Sequence, residues 1–504
     1  MNVNSLLSGV DVLAHHGEAS GPLGSVQHDS RCVGVGDVFV ARRGVDVDGH
    51  SFLDAAARAG AGLLVVEEAP RPGTVAANVP WVQVSSSAVA LGDIAANQHG
   101  RPTERMDVVG ITGTNGKTTT AFLMEGAMQS SERSTGVVGT VLTRWPGHVE
   151  SLGMTTPDAI ALHSLFGRMS ADGVDTAVME VSSHALDQHR VDAVDFDVAA
   201  FTNLGRDHLD YHGSLLEYAA AKRRFFTEVL PAGSHPRGAV INVDDAAGDA
   251  LAGECGTPVV RMGRAAGPGR DLYAADIHSS LGGIEATIVS DWGRAEVHSS
   301  LVGEHNLMNV LTAVGCGLLL DVSLDDLVSG IGGVAHVPGR LQSVPGAEDF
   351  HILVDYAHTD DALTATLSSL KPLTPGRLIV VFGCGGDRDP GKRALMGAVV
   401  ARYADVAIVT SDNPRTEDPE SIIADVVAGL DGFPALGANA RRGYLLVVDR
   451  GEAIHRAIEI ASPGDVVLLA GKGHEATQEL ADRVIAFDDS AVAMEALASR
   501  GGGR

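Results

Sequence analysis

The chain has 504 residues and carries 37 Lys and Arg against 64 Asp and Glu, a formal net charge of −27. At roughly 100–200 residues per domain this length implies about three domains. A 45% hydrophobic and 20% charged composition supplies packed cores and excludes wholesale disorder. A field this acidic excludes nucleic acid and anionic membrane as partners of the overall surface, while leaving room for a local basic pocket. Cys32, Cys255, Cys316 and Cys384 are scattered and form no CxxC. That excludes a disulfide framework or zinc site and fits a reducing cytoplasm, the expected location. No basic segment followed by an apolar stretch opens the chain, so no signal peptide is read. The charge-free stretches Gly73–Gly92 and His305–Leu320 are broken by Pro80 and by asparagines, and no membrane insertion is expected.

In chain order, the apolar runs Val108–Thr112, Ala177–Glu180, Ala239–Val243, Leu378–Phe382, Val406–Thr410 and Val466–Ala470 read as buried strands. Alanine-rich helical segments alternate with them. This is the pattern of parallel α/β sheets, whose functional residues sit at the carboxyl ends of strands. Polar breaks at Gln98-His-Gly-Arg-Pro-Thr-Glu-Arg105 and His336-Val-Pro-Gly-Arg340 divide the chain. The expected domains are 1–102, 103–337 and 338–504. The glycines Gly501–Gly503 read as a frayed tail.

The strongest local signal is Val108-Val-Gly-Ile-Thr-Gly-Thr-Asn-Gly-Lys-Thr-Thr119. An apolar strand enters a glycine-rich turn, and Lys117-Thr118-Thr119 opens a helix. Glycines let backbone N–H groups surround phosphate oxygens, Lys117 can reach β/γ-phosphates, and the Thr118 hydroxyl can ligate Mg²⁺. Ile111 stands where a strict GxxxxGK[ST] pattern would have its first glycine. No Asn-Lys-x-Asp base-reading motif occurs. Arg388 takes the place of the third glycine in a GxGxxG fingerprint starting at Gly383. ATP and phosphoryl transfer remain.

Downstream, Glu180 ends a strand, well placed to hold Mg²⁺ opposite the loop or simply to face solvent. His208 and His212 lie in the polar segment Phe201-Thr-Asn-Leu-Gly-Arg-Asp-His-Leu-Asp-Tyr-His-Gly213, as ligands or as structural histidines. Lys222 sits among alanines before Arg223 and Arg224. By spacing alone it reads as a solvated helix face.

Together these segments carry a resemblance. Gly113-Thr-Asn-Gly-Lys-Thr118, Glu180-Val-Ser-Ser-His184, Asn203-Leu-Gly-Arg-Asp-His-Leu-Asp-Tyr-His212 and Ala220-Ala-Lys222 resemble the Mur ligases of peptidoglycan synthesis. Asp29-Ser-Arg31, Gly36-Asp-Val-Phe39 and Asp48-Gly-His50 resemble the UDP-binding part of the branch that adds a diamino acid. Val337-Pro-Gly-Arg340, Asp355-Tyr-Ala-His358, Gly383-Cys-Gly-Gly-Asp-Arg-Asp389, Asp412-Asn-Pro-Arg415 and Gly471-Lys-Gly-His-Glu475 resemble the same branch.

The resemblance implies an α/β protein of three domains: a UDP-binding N-terminal domain, a central P-loop-type parallel-sheet ATPase and a Rossmann-like, amino-acid-binding C-terminal domain. It implies an ATP-dependent ligase, expected as a monomer, that adds meso-diaminopimelate to the D-Glu of UDP-MurNAc-L-Ala-D-Glu through an acyl phosphate. Two Mg²⁺ ions are expected, on Thr118, Glu180, His208 and a carbamylated Lys222, with Lys117 as the catalytic cation. Gly113, Thr114, Asn115, Gly116, Thr119, Asn306, Arg340 and Asp355 match ATP contacts, Asn306 also reading as a helix N-cap. Ser30, Thr155, Thr156, Ser182, Gln188 and Arg190 match contacts to the UDP substrate, and His28 and the turn Val45-Asp46-Val47 match further UDP-side positions. Arg388, Asp412, Asn413, Pro414, Arg415, Gly471 and Glu475 match contacts to the diamino acid. Arg415 suits the second carboxylate of diaminopimelate, which a planar guanidinium grips bidentately; the local alternative is a turn arginine paired with Glu417 or Asp418. Asp360-Asp361 replaces the family's Pro-Asp, which puts the local turn geometry in question. Other outcomes are a ligase that adds lysine, ornithine or diaminobutyrate, a folylpolyglutamate synthetase, or a binding protein that uses ATP as a switch.

Overall fold

The computed structural model describes residues 1–19, 21–44, 47–437 and 440–501. The turn positions Val45 and Asp46, and the tail beyond 501, lie outside the described residues. Three large sheets follow one another along the chain.

In the first sheet, Val26–Gln27, Val38–Val40, Leu63–Val66 and Trp81–Val84 run parallel, and Val12–His16 closes one edge antiparallel. Val38, Phe39, Val40 and all of Leu63–Val66 are buried, because a parallel strand covered on both faces is apolar throughout.

The central sheet has eleven strands. Its middle is parallel: Gly238–Asn242, Val198–Phe201, Asp107–Thr112, Thr176–Glu180 and Thr135–Val138 are neighbours in that order. Val259–Gly263 and Leu272–Ser280 continue one edge in parallel, followed by Gly283–Ser290 and Gly293–Ser299 in antiparallel pairing; Thr143–Trp145 and His148–Glu150 extend the other edge, also antiparallel. The helices Lys117–Ser130 and Glu304–Leu319 pack on one face.

The third sheet orders Gln342–Ser343, His351–Asp355, Val466–Ala470, Leu378–Phe382, Val406–Val409 and Gly443–Leu446, parallel except at its first pair. All six strands expected from the sequence are present within one residue at each end. The turn Pro102–Arg105 runs across the expected boundary at 102/103.

Register brings the chemistry to one end. Glu180 is level with Ile111, and Phe201 with Thr112. The phosphate loop, Glu180 and the segment after Phe201 therefore leave the central sheet side by side. Asp355 and Ala470 are likewise level at the carboxyl edge of the third sheet. No helix among the described residues is long and apolar enough to cross a membrane.

Candidate active site

Gly113 leaves its strand at φ +143°, and a Cβ there would lie 1.9 Å from Thr202 Oγ1. Only glycine fits this turn. The loop is then pinned from the neighbouring strand end: Thr114 N–H donates to Asn203 O (2.9 Å) and Asn115 N–H to Asn203 Oδ1 (2.9 Å). The helix Lys117–Ser130 begins at once, so its first N–H groups lack intrahelical carbonyls and present the positive dipole end to an anion. Lys117 Nζ donates to Gly113 O (2.8 Å) and Thr114 O (2.9 Å), and burial pushes its pKa down.

Glu180 is 1% exposed. Both its oxygens accept from the Thr118 hydroxyl at 3.0 Å, and Thr140 adds its N–H (2.8 Å) and hydroxyl (3.0 Å). The solvent-facing alternative is thereby excluded. Lys222 is 2% exposed, which corrects the solvated-face reading. Its Nζ donates to Gly113 O at 2.9 Å and lies 4.4 Å from the centre of the Tyr218 ring. Burial and the Lys117 ammonium hold its pKa well below the ordinary lysine value. His208, in a left-handed conformation at φ +52°, sets its ring edge-on to His184 at 4.8 Å. His212 is buried with Nε2 2.9 Å from Ser183 Oγ, a structural histidine.

These groups line one cavity of ≈390 Å³ that the third sheet helps to enclose. Residues 114–119, Thr155, Glu180, Ser182, His208, Lys222 and Asn306 face it from the central part; Arg340 and Asp355 face it from the third sheet. Arg340 donates Nη2 to Thr118 Oγ1 (3.3 Å) and stacks over Tyr356 at 4.6 Å. Asp355 uses both oxygens within its own part of the chain, accepting from Leu341 N–H (2.8 Å) and Ala357 N–H (2.9 Å). Asn306 is no helix N-cap: Gly303 holds that position, and Asn306 lies in the first turn, donating Nδ2 to Val302 O (2.7 Å).

The remaining expected residues form two further groups. Thr156 Oγ1 donates to Glu180 O (2.8 Å) and accepts from Ser182 N–H (3.1 Å). Ser182 caps the helix Ser183–Asp187. Arg190 donates Nη1 to Thr156 O (2.9 Å) and Nη2 to Gln188 Oε1 (2.8 Å). Ser30 lies in a short turn of the first sheet's region, beside His28, whose Nδ1 is buried without a partner.

At the carboxyl edge of the third sheet, Asp412, Asn413, Gly471 and Glu475 meet. Asn413 Nδ2 donates to Glu475 Oε2 (2.9 Å), and a Cβ on Gly471 would lie 2.7 Å from Asp412 Oδ2. Pro414 packs its carbonyl against Gly386. Arg415 pairs with Glu479 (Nε to Oε2, 2.7 Å), not with Glu417 or Asp418, and donates Nη1 to Gly386 O (2.8 Å). Glu417 is taken by Arg393. Arg388 is exposed and joins none of these bonds.

Three family models cover most of the chain: "Mur ligase family, catalytic domain" at 23–99, "Mur ligase middle domain" at 111–317 and "Mur ligase, glutamate ligase domain" at 339–473. A protein of Geobacter sulfurreducens named UDP-N-acetylmuramoyl-L-alanyl-D-glutamate--2,6-diaminopimelate ligase is 42% identical, with 100% of each chain covered. A protein of the same name from Geobacillus kaustophilus is 42% identical over 97% of each chain. The chain belongs to the Mur ligase family. A solved structure bearing that same ligase name matches with TM-score 0.71 and 32% identity, covering 99% of both chains. The ADP complex of Mycobacterium tuberculosis folylpolyglutamate synthase matches with TM-score 0.62 and 19% identity, covering 83% of this chain and 95% of that one, and shares the fold.

In this Mur ligase, sequence reasoning missed three residues. Lys472, 0% exposed, donates to Asn413 Oδ1 (3.0 Å) and Glu475 Oε2 (3.1 Å). It was legible only as part of Gly471-Lys-Gly-His-Glu475. Arg42 reaches Gln188 from the first sheet. Asp361 accepts from Arg206 N–H (2.7 Å), tying the third sheet's first helix to the loop after Phe201. The Asp360 substitution leaves that turn intact: Thr359 caps the helix Asp360–Leu370 through Ala362 N–H (3.2 Å).

Proposed function

We propose that this chain is an ATP-dependent ligase joining meso-diaminopimelate to the D-Glu γ-carboxylate of UDP-MurNAc-L-Ala-D-Glu, releasing ADP and phosphate. The carrying observation is one cavity that holds the phosphate loop, a buried carboxylate, the buried Lys222 and the cations Lys117 and Arg340, in a chain 42% identical end to end to a ligase of that name. The reading assigns UDP binding to residues 1–102, ATP chemistry to 103–337 and the amino acid to 338–504; each large sheet falls within one of these spans.

A carboxylate is a poor acyl donor. Transfer of the γ-phosphoryl group to the D-Glu oxygen makes an acyl phosphate and frees ADP. The amine then attacks the acyl carbon, and phosphate leaves as the C–N bond forms. Several oxyanions meet, so positioning and charge neutralisation carry the rate. Lys117 exchanges its loop carbonyls for the β/γ-phosphates, and Arg340 neutralises the same cluster from the opposite wall. Closure of the third sheet over the cavity, through Arg340 and Asp361, excludes water from the acyl phosphate. Thr155, Thr156 and Ser182 orient the dipeptide, and Ser30, Gln188 and Arg190 hold the UDP side.

Glu180 has hard oxygen donors and no Lys or Arg partner among the described residues, and with the Thr118 hydroxyl it fits a divalent cation. His208 and a carbamylated Lys222 complete the donor set of this reading. Mg²⁺ held there supplies charge neutralisation for phosphoryl transfer. A buried lysine held toward its neutral form has the lone pair that CO₂ takes up, forming an N–C bond with loss of a proton. On the amino-acid side, Asp412, Asn413 and Glu475 receive an ammonium, and Arg415 receives the second carboxylate of diaminopimelate, with Pro414, Gly471 and Arg388 shaping the pocket.

Phosphate release with ATP, Mg²⁺ and UDP-MurNAc-L-Ala-D-Glu tests this. Release driven by diaminopimelate alone supports the whole reading. Release driven instead by lysine, ornithine or diaminobutyrate keeps the ligase and discards the Arg415 argument. Silence with every diamine rejects it.

A further inference from the structure

A guanidinium offers a planar anion two bidentate edges, Nε with Nη2 and Nη1 with Nη2. In Arg415 each edge has one member taken. Nη1 donates to Gly386 O (2.8 Å), Nε donates to Glu479 Oε2 (2.7 Å), and among the described residues Nη2 makes no bond. The Gly386 carbonyl belongs to the main chain and stays where the loop puts it. Glu479 is a side chain, and it is the one partner that can swing away and leave a whole edge free.

Arg415 does not need that carboxylate to hold its place. Its backbone is fixed at φ +51°, its N–H donates to Glu479 O (3.2 Å), and a Cβ on Gly385 would lie 3.1 Å from its Nη1. The strand Thr477–Glu479 is pinned as well. Gln478 Nε2 donates to Asp412 O (2.6 Å), Glu479 N–H donates to Asn413 Oδ1 (3.1 Å), and Glu479 stands opposite Val484 in the hairpin. The Glu479 side chain can therefore turn without moving its strand. It is 46% exposed against 24% for Arg415, and among the described residues it has no second partner. The neighbouring pair is built differently: Arg393, 3% exposed, gives Nη2 to both oxygens of Glu417 (2.8 and 2.9 Å) and Nη1 to Asp425 (3.0 Å). Arg393 is locked; Arg415 is held by one half-exposed carboxylate that water can receive at small cost.

We propose that Glu479 is a specificity-determining residue, a resident counterion that occupies the Nε–Nη2 edge of Arg415 until the second carboxylate of the incoming diamino acid displaces it. This rests on the ligase reading and on its assignment of Arg415 to that carboxylate. Binding is then an exchange of one carboxylate for another. An amino acid with a second carboxylate at its far end takes the edge, and Glu479 turns to solvent. One without it, such as lysine or ornithine, leaves Arg415 with Glu479 and gains nothing there. The exchange also trims affinity for the correct substrate, because part of the new ion pair replaces an old one.

The test is phosphate release by Glu479→Gln and Glu479→Ala, each also combined with Arg415→Ala, with each substrate varied in turn and L-lysine added as inhibitor or alternative substrate. A partly exposed pair of this kind predicts that both single variants lower the KM for diaminopimelate about two- to fivefold. kcat, the KM values for ATP and UDP-MurNAc-L-Ala-D-Glu, and the constant for L-lysine hold. The gain shrinks or vanishes when Arg415 is absent, because the two side chains act as one unit. A raised diaminopimelate KM, larger for Glu479→Ala than for Glu479→Gln, makes Glu479 the residue that orients Arg415 and overturns the exchange. An unchanged KM overturns it too, as does the same gain with and without Arg415, which makes Glu479 act on the ligand directly. These results leave the ligase standing. Wild type that turns over with lysine and not with diaminopimelate removes the assignment of Arg415 and the exchange with it, and wild type silent with every diamine removes the ligase reading itself.

Discussion

Replacing Lys472 by Met removes the ammonium at the centre of the Asp412–Asn413–Glu475 cluster while keeping most of the side-chain volume. Lys472 Nζ makes bonds of 3.0 Å to Asn413 and 3.1 Å to Glu475 and lies 3.9 Å from Asp412 Oδ1, in a residue 0% exposed. A hydrogen bond involving a charged group contributes about 1.5–3 kcal/mol, and removing one partner of a buried ion pair costs about 3–5 kcal/mol. Glu475 then keeps only Asn413 Nδ2, and Asp412 and Glu475 lose the ammonium they share. If about 1.5–3 kcal/mol of this reaches amino-acid binding, the KM for diaminopimelate rises about 10- to 150-fold. Lys117, Arg340 and the phosphate loop bond to none of these groups, so the KM values for ATP and UDP-MurNAc-L-Ala-D-Glu hold. The assay is phosphate release with each substrate varied in turn, after thermal unfolding has established that the variant is folded. An unchanged diaminopimelate KM, or an equal rise in all three, refutes the assignment of this cluster to the amino acid.

Arg415→Ala is expected to raise the diaminopimelate KM about tenfold or more while acyl phosphate formation, trapped with hydroxylamine, persists; equal loss of both makes Arg415 a structural partner of Glu479. Lys222→Ala is expected to abolish phosphoryl transfer, and near-normal turnover refutes its place in the reacting site. Burial, with Asp107 and Asp195 nearby, pushes the Asp197 pKa up to about 6. A folded-state pKa above the unfolded value means stability fully present below about pH 4 and lost as pH rises through about 6. Discounted for its partial exposure, the ionised group costs about 1 kcal/mol at pH 7.5. Asp197→Asn therefore raises the melting temperature at pH 7.5 and not at pH 4, and an equal gain at both refutes the linkage. His163 is buried with both ring nitrogens unpartnered, and burial pushes its pKa down to about 3. Its folded-state pKa lies below the unfolded value, so its contribution is present above about pH 6.5 and lost as pH falls toward about 3. His163→Leu flattens that acid limb of a thermal-stability profile; an unchanged limb refutes it.

The phosphate loop was legible because every part of it is local: an apolar strand, two glycines, Lys117 and a helix start lie within a dozen residues. The buried strands were legible because a parallel strand covered on both faces leaves a continuous apolar run. What was not legible depends on partners far away in sequence. Spacing makes Lys222 a surface residue; only the packing of its helix beneath Gly113 buries it. Asn306 has cap chemistry, yet Gly303 at φ +98° starts the helix earlier and turns that amide back onto Val302. Arg415 has acidic neighbours in sequence, but the strand Thr477–Glu479 places Glu479 closer, while Arg393 occupies Glu417. Arg42 looks like half of an ordinary Arg-Arg pair until Gln188 comes within reach of one member and not the other.

Counterions separate the kinds of cation. Arg393, Arg450 and Lys472 are all buried, and each has a carboxylate: Glu417 and Asp425, Asp489, and Glu475 respectively. Lys117, Arg340, Arg190 and Arg42 bond to carbonyl, hydroxyl or amide oxygens, and among the described residues none forms an ion pair. With 64 acids against 37 bases, chance alone would give most cations a carboxylate. A cation kept on neutral oxygens retains its full charge for a ligand and gives up little when it turns to one; a cation already neutralised would have to break an ion pair first. The four lie along the path the reading assigns to diphosphate, triphosphate and acyl phosphate. Lys472, paired with acids, lies where the reading places an amine and calls for a net negative pocket. The partition follows the ligand charges expected at each place, and it is a property of partners that no single segment of the sequence carries.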